Sequence, residues 1–203
     1  STGVREILLD ITTTVTQQAE SGLLGMALHP DFENTPEVFL AYTYTPVSSI
    51  KEKIVKYTFN GTALVNEVVL LDNIDGNGTH NGCRLLFLSD NSLLATTGDV
   101  QNPNLSQSLS SLNGKILRLN TDGSIPSDNP ISGSYVYSFG FRNTQGLAHL
   151  PNNSLIMSEH GASTEDEIQL LIPNRNYGWP NVEGYCNTAS EITFCTTNNV
   201  VEP

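Results

Sequence analysis

The sequence predicts an all-β fold, a β-propeller, and three observations support this prediction. Three short apolar runs separated by turn residues recur as a unit, with Pro30, Ser89 and Pro151 at the same place in successive units. These markers lie 59 and then 62 residues apart, a near-constant spacing that is typical of propeller blades. Only 15% of the residues are charged, and turn-forming Asn, Ser, Thr, Gly and Pro are abundant, which excludes a helical bundle. A β-sandwich is the alternative, but it would not repeat its strand order at this spacing.

Each unit supplies three predicted strands in the same order. The first strand of each unit, ending at a marker, is predicted over residues 25–30, 84–89 and 146–151. The second strand follows a polar turn and is predicted over residues 38–43, 93–97 and 155–158. The third strand is predicted over residues 53–57, 115–119 and 167–171. We therefore expect small antiparallel sheets, one per unit, arranged around a common axis.

The chain length predicts only part of a propeller. Closed propellers have roughly four to eight blades, and 203 residues provide three units and an N-terminal remnant in residues 1–20. We expect one domain over residues 1–203, covering about three to four blades, with later blades outside this sequence. An open part of a ring would expose sheet edges and an apolar blade face.

Charge excludes several classes of partner. Nine Lys and Arg stand against 21 Asp and Glu, for a net charge of −12, whereas nucleic-acid backbones require clustered Lys and Arg. The same balance argues against binding to an anionic membrane surface. No run approaches 18 apolar residues, so no membrane span is expected, and no signal peptide is visible.

The three cysteines predict one disulfide. Cys186 and Cys195 are nine positions apart in a polar segment, and no CxxC motif or nearby His completes a zinc site. Cys83 stands alone. A Cys186–Cys195 disulfide indicates an oxidising compartment, so we expect a periplasmic or secreted protein.

Three chemically distinct side chains occupy one phase of the repeat. Glu20 lies ten residues before its marker, and His80 and Arg142 each lie nine before theirs, in polar loops that contain glycine. Because equivalent loops of successive blades surround one mouth of the channel, we expect these residues to line a single cavity. Each also has a purely structural alternative: Glu20 as a solvated carboxylate, His80 as a turn former and Arg142 as a tie between blades.

Two further segments stand out. Residues 158–167 combine carboxylates with a glycine loop, which suits a hard cation such as Ca²⁺, although an acidic solvated hairpin is equally compatible with this composition. His29 and His149 lie on apolar runs and are interpreted as core residues. Trp179, beside Gly178 and Pro180, is interpreted as packing a loop corner.

Five motifs, in order and at similar spacing, resemble the soluble quinoprotein glucose dehydrogenase family, also called aldose sugar or glucose/sorbosone dehydrogenases. The resemblance covers residues 20–185. The motifs occupy residues 22–32, 114–130, 140–148, 158–161 with 166–168, and 176–180.

The resemblance implies a six-bladed propeller with four-stranded blades that binds pyrroloquinoline quinone (PQQ) and Ca²⁺ at one channel mouth. His80 stands at the position of the family's catalytic base, which takes the proton of the sugar's anomeric hydroxyl before hydride passes to the quinone. Arg142 stands at the position of the arginine beside the quinone, and Asn143 is its polar neighbour at the cofactor. Gly161 and Ala162 occupy the positions whose backbone carbonyls hold Ca²⁺.

The sequence departs from the family pattern at several positions near the cofactor. Glu20 replaces a Gln and adds negative charge, and Thr79 replaces an Asp that helps to orient the base. Cys83 occupies a small-residue position, and Ala162 replaces a Pro. PQQ carries three carboxylates, and in the family further basic ligands come from later blades.

The resemblance predicts PQQ- and Ca²⁺-dependent oxidation of an aldose at the anomeric carbon to the lactone. The electron acceptor is not predicted. The alternative is a non-catalytic propeller that binds a protein or a glycan, like the hedgehog-interacting proteins. His80 and Arg142 at one repeat phase favour the enzyme, whereas Glu20 and Thr79 suit a binding module. A propeller lactonase would need a ring of metal ligands that is not evident here.

Overall fold

The computed structural model describes residues 3 and 6–203 and contains three antiparallel sheets and two helices. The strands and helices are, in chain order, β1 (Leu23–Leu28), β2 (Glu37–Tyr44), β3 (Lys51–Phe59), β4 (Leu64–Asp75), β5 (Gly82–Phe87), β6 (Leu93–Thr97), α1 (Asn104–Gln107), β7 (Lys115–Leu119), β8 (Val136–Phe139), β9 (Thr144–His149), β10 (Leu155–Glu159), β11 (Glu167–Leu171) and α2 (Ala189–Asn198).

Each sheet is a meander of consecutive strands. The first two sheets have four strands, in the orders β1-β2-β3-β4 and β5-β6-β7-β8, and the third has three, in the order β9-β10-β11. Their first strands are neighbours in space, since β5 contacts both β1 and β9. The sheets therefore stand as three successive blades around the line of β1, β5 and β9, and the predicted propeller class is confirmed.

Every strand predicted from the repeat is present, but four elements were not predicted: β4, β8, the four-residue helix α1 and helix α2. Strand β4 carries polar residues at irregular positions and pairs with β3 through several register shifts, so it lacks the alternation that marks a strand. Strand β8 has only four residues. Helix α2 begins with a capping box formed by Thr188 and Glu191, a signal that the sequence does contain.

Apolar clusters join the blades in pairs. Between the first two blades, Phe39 and Ile54 pack with Leu85 and Leu93. Between the second and third, Ile116 and Phe141 pack with residues of β10 and β11, including Met157. Burial of these faces makes the three sheets one packed unit.

The third blade leaves one apolar face uncovered. Leu171 is buried against the second blade, and alternation along β11 places Ile168 and Leu170 on the opposite face, where they are 73% and 52% exposed. Such exposure agrees with the expectation that the sequence covers only part of a ring.

The C-terminal segment contains the predicted disulfide. Cys186 and Cys195 are bonded, with their Cα atoms 6.5 Å apart, while Cys83 is a free, buried thiol. Helix α2, which carries Cys195, has no buried residue. The disulfide therefore links this exposed helix covalently to the segment that precedes it. Within the described part of the chain, no helix has the length and apolar character required to cross a membrane.

Candidate active site

The loops that precede β1, β5 and β9 meet at one end of the channel, as the repeat predicted. Glu20, His80 and Arg142 lie in these three loops. The backbone N–H of His80 donates to Oε2 of Glu20 at 3.2 Å, which joins the first two loops. The backbone N–H of Asp99, in the loop after β6, donates to the Arg142 carbonyl at 2.8 Å. These hydrogen bonds connect the three loops, but only Arg142 of the three residues lines the small cavity described below, so a single cavity lined by all three stays a prediction.

His80 forms a pair with a buried carboxylate. Nδ1 of His80 lies 2.8 Å from Oδ1 of Asp99, whose side chain is only 1% exposed, whereas the imidazole is 16% exposed. The backbone N–H of Gln101 and the indole N–H of Trp179 also donate to this carboxylate, each at 2.9 Å. Since Asp99 engages Nδ1, Nε2 is the ring nitrogen of His80 that is available to accept a proton.

The backbone around this pair adopts rarely populated conformations. His80, Val100 and Gln101 have φ angles of +57°, +50° and +63°, and a positive φ is unusual for a β-branched residue such as Val100. The Val100 N–H donates to the His80 carbonyl at 3.2 Å. At Gly98, a Cβ atom would lie 1.8 Å from the same carbonyl oxygen, so only glycine permits this approach of the two loops. Backbone strain of this kind is characteristic of functional sites.

Arg142 is held by contacts on both sides. Its backbone N–H donates to Glu159, and its Nη1 donates to the His160 carbonyl at 3.1 Å. The guanidinium carbon lies over the Trp179 ring, 5.7 Å from the ring centroid, within the range of a cation–π interaction. These contacts leave the guanidinium at the wall of a small cavity.

Asn143 and Thr79 make structural contacts. Asn143 is buried, and its Oδ1 accepts from the Gly82 N–H at 3.1 Å, so this residue ties the start of β9 to the start of β5. The Thr79 hydroxyl accepts from Nε2 of Gln101 at 2.5 Å. Because Asp99 orients His80, the imidazole has a carboxylate partner even though residue 79 is a threonine.

Lys115, a buried residue at the start of β7, donates hydrogen bonds to the backbone near these loops. The Lys115 side chain is fully buried, and its Nζ donates to the carbonyls of Leu105, Ser106 and Asn113 at 2.7, 3.0 and 2.6 Å. The Ser106 hydroxyl in turn donates to the Phe141 carbonyl at 2.6 Å, next to Arg142. The ammonium form of the side chain thus has a carbonyl acceptor for each of its three N–H groups, and these bonds fix the segment between Asp99 and β7.

The cavity beside Arg142 is small and strongly acidic. It has a volume of about 10 Å³, and its lining includes four glutamates, Glu159, Glu165, Glu167 and Glu183. Burial raises the pKa of Glu159 to about 8. Burial also raises the pKa of Glu167, and the neighbouring Glu165 and Glu183 carboxylates add to that shift. The cavity therefore favours either protonation of these acids or a bound cation.

The two predicted calcium ligands lie at this cavity and beside it. Gly161 lines it, and its carbonyl accepts from Nδ1 of His160 at 2.8 Å. Ala162 is exposed, and its N–H donates to Glu183. Among the described residues, no three His, Cys, Asp or Glu side chains are grouped to hold a metal ion. A cation here would need backbone carbonyls as well as carboxylates, which is the type of donor set predicted for Gly161 and Ala162.

Two site residues were not identified from the sequence. Asp99 is one of 21 acidic residues and lies outside the repeat phase that selected Glu20, His80 and Arg142. Trp179 was interpreted as a loop-packing residue, and the structure additionally places it between Asp99 and Arg142. The Gly98-Asp99 dipeptide directly after β6 is the one local signal that could have marked this loop. Of the two histidines interpreted as core residues, His29 packs against Phe39 and Phe87, whereas His149 is exposed.

Comparison with known proteins decides the family. The model of the family described as Glucose / Sorbosone dehydrogenase matches residues 3–203. The chain belongs to the glucose/sorbosone dehydrogenase family. The resemblance inferred from the five motifs is thereby confirmed.

Relatives within the glucose/sorbosone dehydrogenase family include two curated bacterial proteins. Quinoprotein glucose dehydrogenase B of Acinetobacter calcoaceticus is 40% identical over 196 residues, a match covering 82% of this chain and 41% of that protein. Aldose sugar dehydrogenase YliI of Escherichia coli is 33% identical over 177 residues, covering 79% of this chain and 46% of that protein. The chain thus spans less than half the length of these two family members.

A solved structure agrees with these sequence matches. The PQQ-bound form of aldose sugar dehydrogenase from Streptomyces coelicolor superposes with a TM-score of 0.78 at 38% identity, covering 87% of this chain and 53% of that one. The three blades described above are therefore arranged as in part of a family member that binds PQQ.

Proposed function

We propose that this chain forms part of an enzyme that uses PQQ and Ca²⁺ to oxidise an aldose at its anomeric carbon to the lactone. The observation that supports this proposal most strongly is the His80–Asp99 pair at the mouth of the channel. A histidine oriented by a buried carboxylate through Nδ1 is a recurrent arrangement for a general base.

A cavity of about 10 Å³ has room for a single ion, so a divalent cation suits the cavity itself, and an anionic cofactor would bind outside it, beside Arg142. The Arg142 guanidinium, held over the Trp179 ring, offers a positive charge for a conjugated, negatively charged cofactor. The Gly161 carbonyl and the carboxylates of the cavity wall carry oxygen atoms, the ligand type that Ca²⁺ prefers, although no three of the described carboxylates are grouped to hold the ion by themselves. An anion alone would be repelled by these carboxylates, so the cation and the anion are expected to bind together.

In this proposal, residues of this chain accept a proton from the sugar, offset charge on the cofactor and fix the position of the base. Nε2 of His80 accepts the proton of the anomeric hydroxyl while Asp99 stabilises the imidazolium that results. Arg142 offsets negative charge that develops on the bound cofactor. Glu20 fixes the His80 loop by accepting its backbone N–H.

When bound, PQQ would supply the acceptor for the two electrons and the hydrogen that leave the anomeric carbon, and Ca²⁺ would supply the Lewis acid beside it. The sugar loses one proton and one hydride, which converts the anomeric C–OH group to the lactone carbonyl. The part of the chain described here would contribute His80, Asp99 and Arg142 to that reaction.

We further propose that the protein acts in the periplasm or outside the cell. The Cys186–Cys195 disulfide supports this location, because such bonds persist in oxidising compartments.

The decisive experiment is a titration of the full-length protein with PQQ and Ca²⁺, followed by reduction of an artificial electron acceptor with a panel of aldoses. His80→Ala is expected to lower turnover by about 100-fold or more while PQQ affinity changes little, since general-base catalysis contributes roughly 10²- to 10⁴-fold. His149→Ala is the matched control, because His149 is exposed at the far end of β9.

Two outcomes would contradict the proposal. Absence of PQQ binding and of an aldose-dependent signal would favour the non-catalytic binding module, which Glu20 and Thr79 suit. Unchanged turnover in His80→Ala would exclude His80 as the base.

A further inference from the structure

Trp179 contacts both halves of the proposed site. Its indole N–H donates to Oδ2 of Asp99 at 2.9 Å, and Oδ1 of the same carboxylate lies 2.8 Å from His80 Nδ1. The face of its ring lies under the Arg142 guanidinium. One side chain therefore contacts the partner of the proposed base and the proposed anion-binding group.

The Trp179 backbone is itself fixed. Its N–H donates to the Gly140 carbonyl at 3.0 Å, and its carbonyl accepts from Nε2 of Gln107 at 2.7 Å. Gln107 is tied further to Asn176 by hydrogen bonds of 2.8 and 2.9 Å. Hydrogen bonds therefore fix the Trp179 backbone at both its N–H and its carbonyl. A residue fixed in this way can determine the position of the groups that its indole contacts.

Asp99 depends on this indole for its orientation. A buried carboxylate needs hydrogen-bond donors on both oxygens, and Oδ2 of Asp99 accepts from Trp179, while Oδ1 is shared between His80 and the Gln101 N–H. Without the indole donor, the carboxylate could rotate to recover a partner and would change its bond to His80.

We propose that Trp179 is a positioning residue: through Asp99 it sets the tautomer and orientation of His80, and through its ring it sets the position of Arg142. This inference rests on the proposed roles of His80 and Arg142. It assigns a specific task to a side chain that the sequence indicated only as a packing residue.

Two substitutions separate the two tasks. Trp179→Phe removes the N–H donor and keeps an aromatic ring below Arg142, whereas Trp179→Leu removes both. Tyr185→Phe is the matched control, because it also removes a polar hydrogen from an aromatic side chain, and Tyr185 is 59% exposed.

In the full-length protein loaded with PQQ and Ca²⁺, Trp179→Phe is expected to lower kcat by about 10- to 100-fold, with KM and PQQ affinity within about twofold of wild type. Trp179→Leu is expected to show the same loss and, in addition, PQQ affinity weakened by about threefold to tenfold. Wild-type kcat in Trp179→Phe would overturn the inference.

A second readout uses the protein without cofactor. With the imidazole in its neutral form, nitrogen NMR of wild type is expected to show His80 as the single tautomer protonated at Nδ1. Trp179→Phe should give signals averaged between the two tautomers, and Tyr185→Phe should match wild type. Unchanged His80 signals in Trp179→Phe, or the same change in Tyr185→Phe, would contradict the positioning role.

Asp99→Asn tests the hydrogen bond between Trp179 and Asp99 by changing its acceptor instead of its donor. The Trp179 indole N–H signal, assigned by through-bond correlations in the wild-type protein, should shift in Asp99→Asn if the bond to the carboxylate exists. This measurement remains decisive if Trp179→Phe fails to fold. An inactive wild type would overturn the proposed function only, since both NMR readouts are made without PQQ and sugar.

Discussion

Oδ1 of Asp99 lies 2.8 Å from Nδ1 of His80, although the two residues are 19 positions apart: one loop enters β5 and the other leaves β6, at the same end of this antiparallel strand pair. The close approach requires Gly98, where any side chain would collide with the His80 carbonyl. The pair is therefore built by the backbone of two loops and not by the side chains alone.

Asp99→Asn is expected to lower kcat by at least about 100-fold with little change in PQQ affinity. The substitution keeps the shape of the side chain but removes the charge that stabilises the His80 imidazolium, and an amide can present its N–H₂ to Nδ1 and select the other tautomer. Steady-state kinetics with saturating PQQ and Ca²⁺ measure the effect. Asp122→Asn, in an exposed turn, is the control, and equal kcat in the two variants would refute a role for Asp99.

Glu20→Gln is expected to tighten PQQ binding by about threefold to tenfold. The amide oxygen can still accept the His80 backbone N–H, but the negative charge next to an anionic cofactor is gone. Because Glu20 is exposed, the gain should shrink as salt rises toward about 1 M.

Fluorescence titration with PQQ at low and high salt measures this effect. The matched control is Glu33→Gln, which makes the same charge change in the turn at the other end of β1. A gain of equal size in the control, or one independent of salt, would show that Glu20 does not face the cofactor.

Glu52→Gln is expected to flatten the pH dependence of stability. Glu52 is 1% exposed between the first two blades, and burial raises its carboxyl pKa well above the usual range, while the Cys83 thiol, 3.7 Å away, opposes that shift. The folded state therefore holds a proton that the unfolded chain releases above about pH 4.3. Stability contributed by this group is present below that pH and decreases as pH rises, by up to about 1.4 kcal/mol per pH unit.

Guanidinium unfolding of the full-length protein at pH 5, 6, 7 and 8 tests this prediction. Wild type and the exposed control Glu33→Gln should lose stability over this range more steeply than Glu52→Gln. Parallel curves for wild type and Glu52→Gln would show that Glu52 is not protonated in the folded state.

The sequence was sufficient to predict the three blades and part of the site. Apolar runs between turn residues recur at a near-constant spacing, and a strand at one phase of the repeat occupies the same place in each blade, so Glu20, His80 and Arg142 could be grouped without coordinates. The repeat did not reveal β4, β8, α1 or α2, because these elements have an irregular, short or fully exposed pattern.

Asp99 and Trp179 show the limit of that reasoning. Their hydrogen bond joins residues 80 positions apart, and neither residue has an equivalent in the other units. A repeat specifies what successive blades share, so it determined the first three strands of each blade and the loops that bear His80 and Arg142. Only the tertiary structure decided which side chains orient them, because that depends on contacts between loops whose shapes differ from blade to blade.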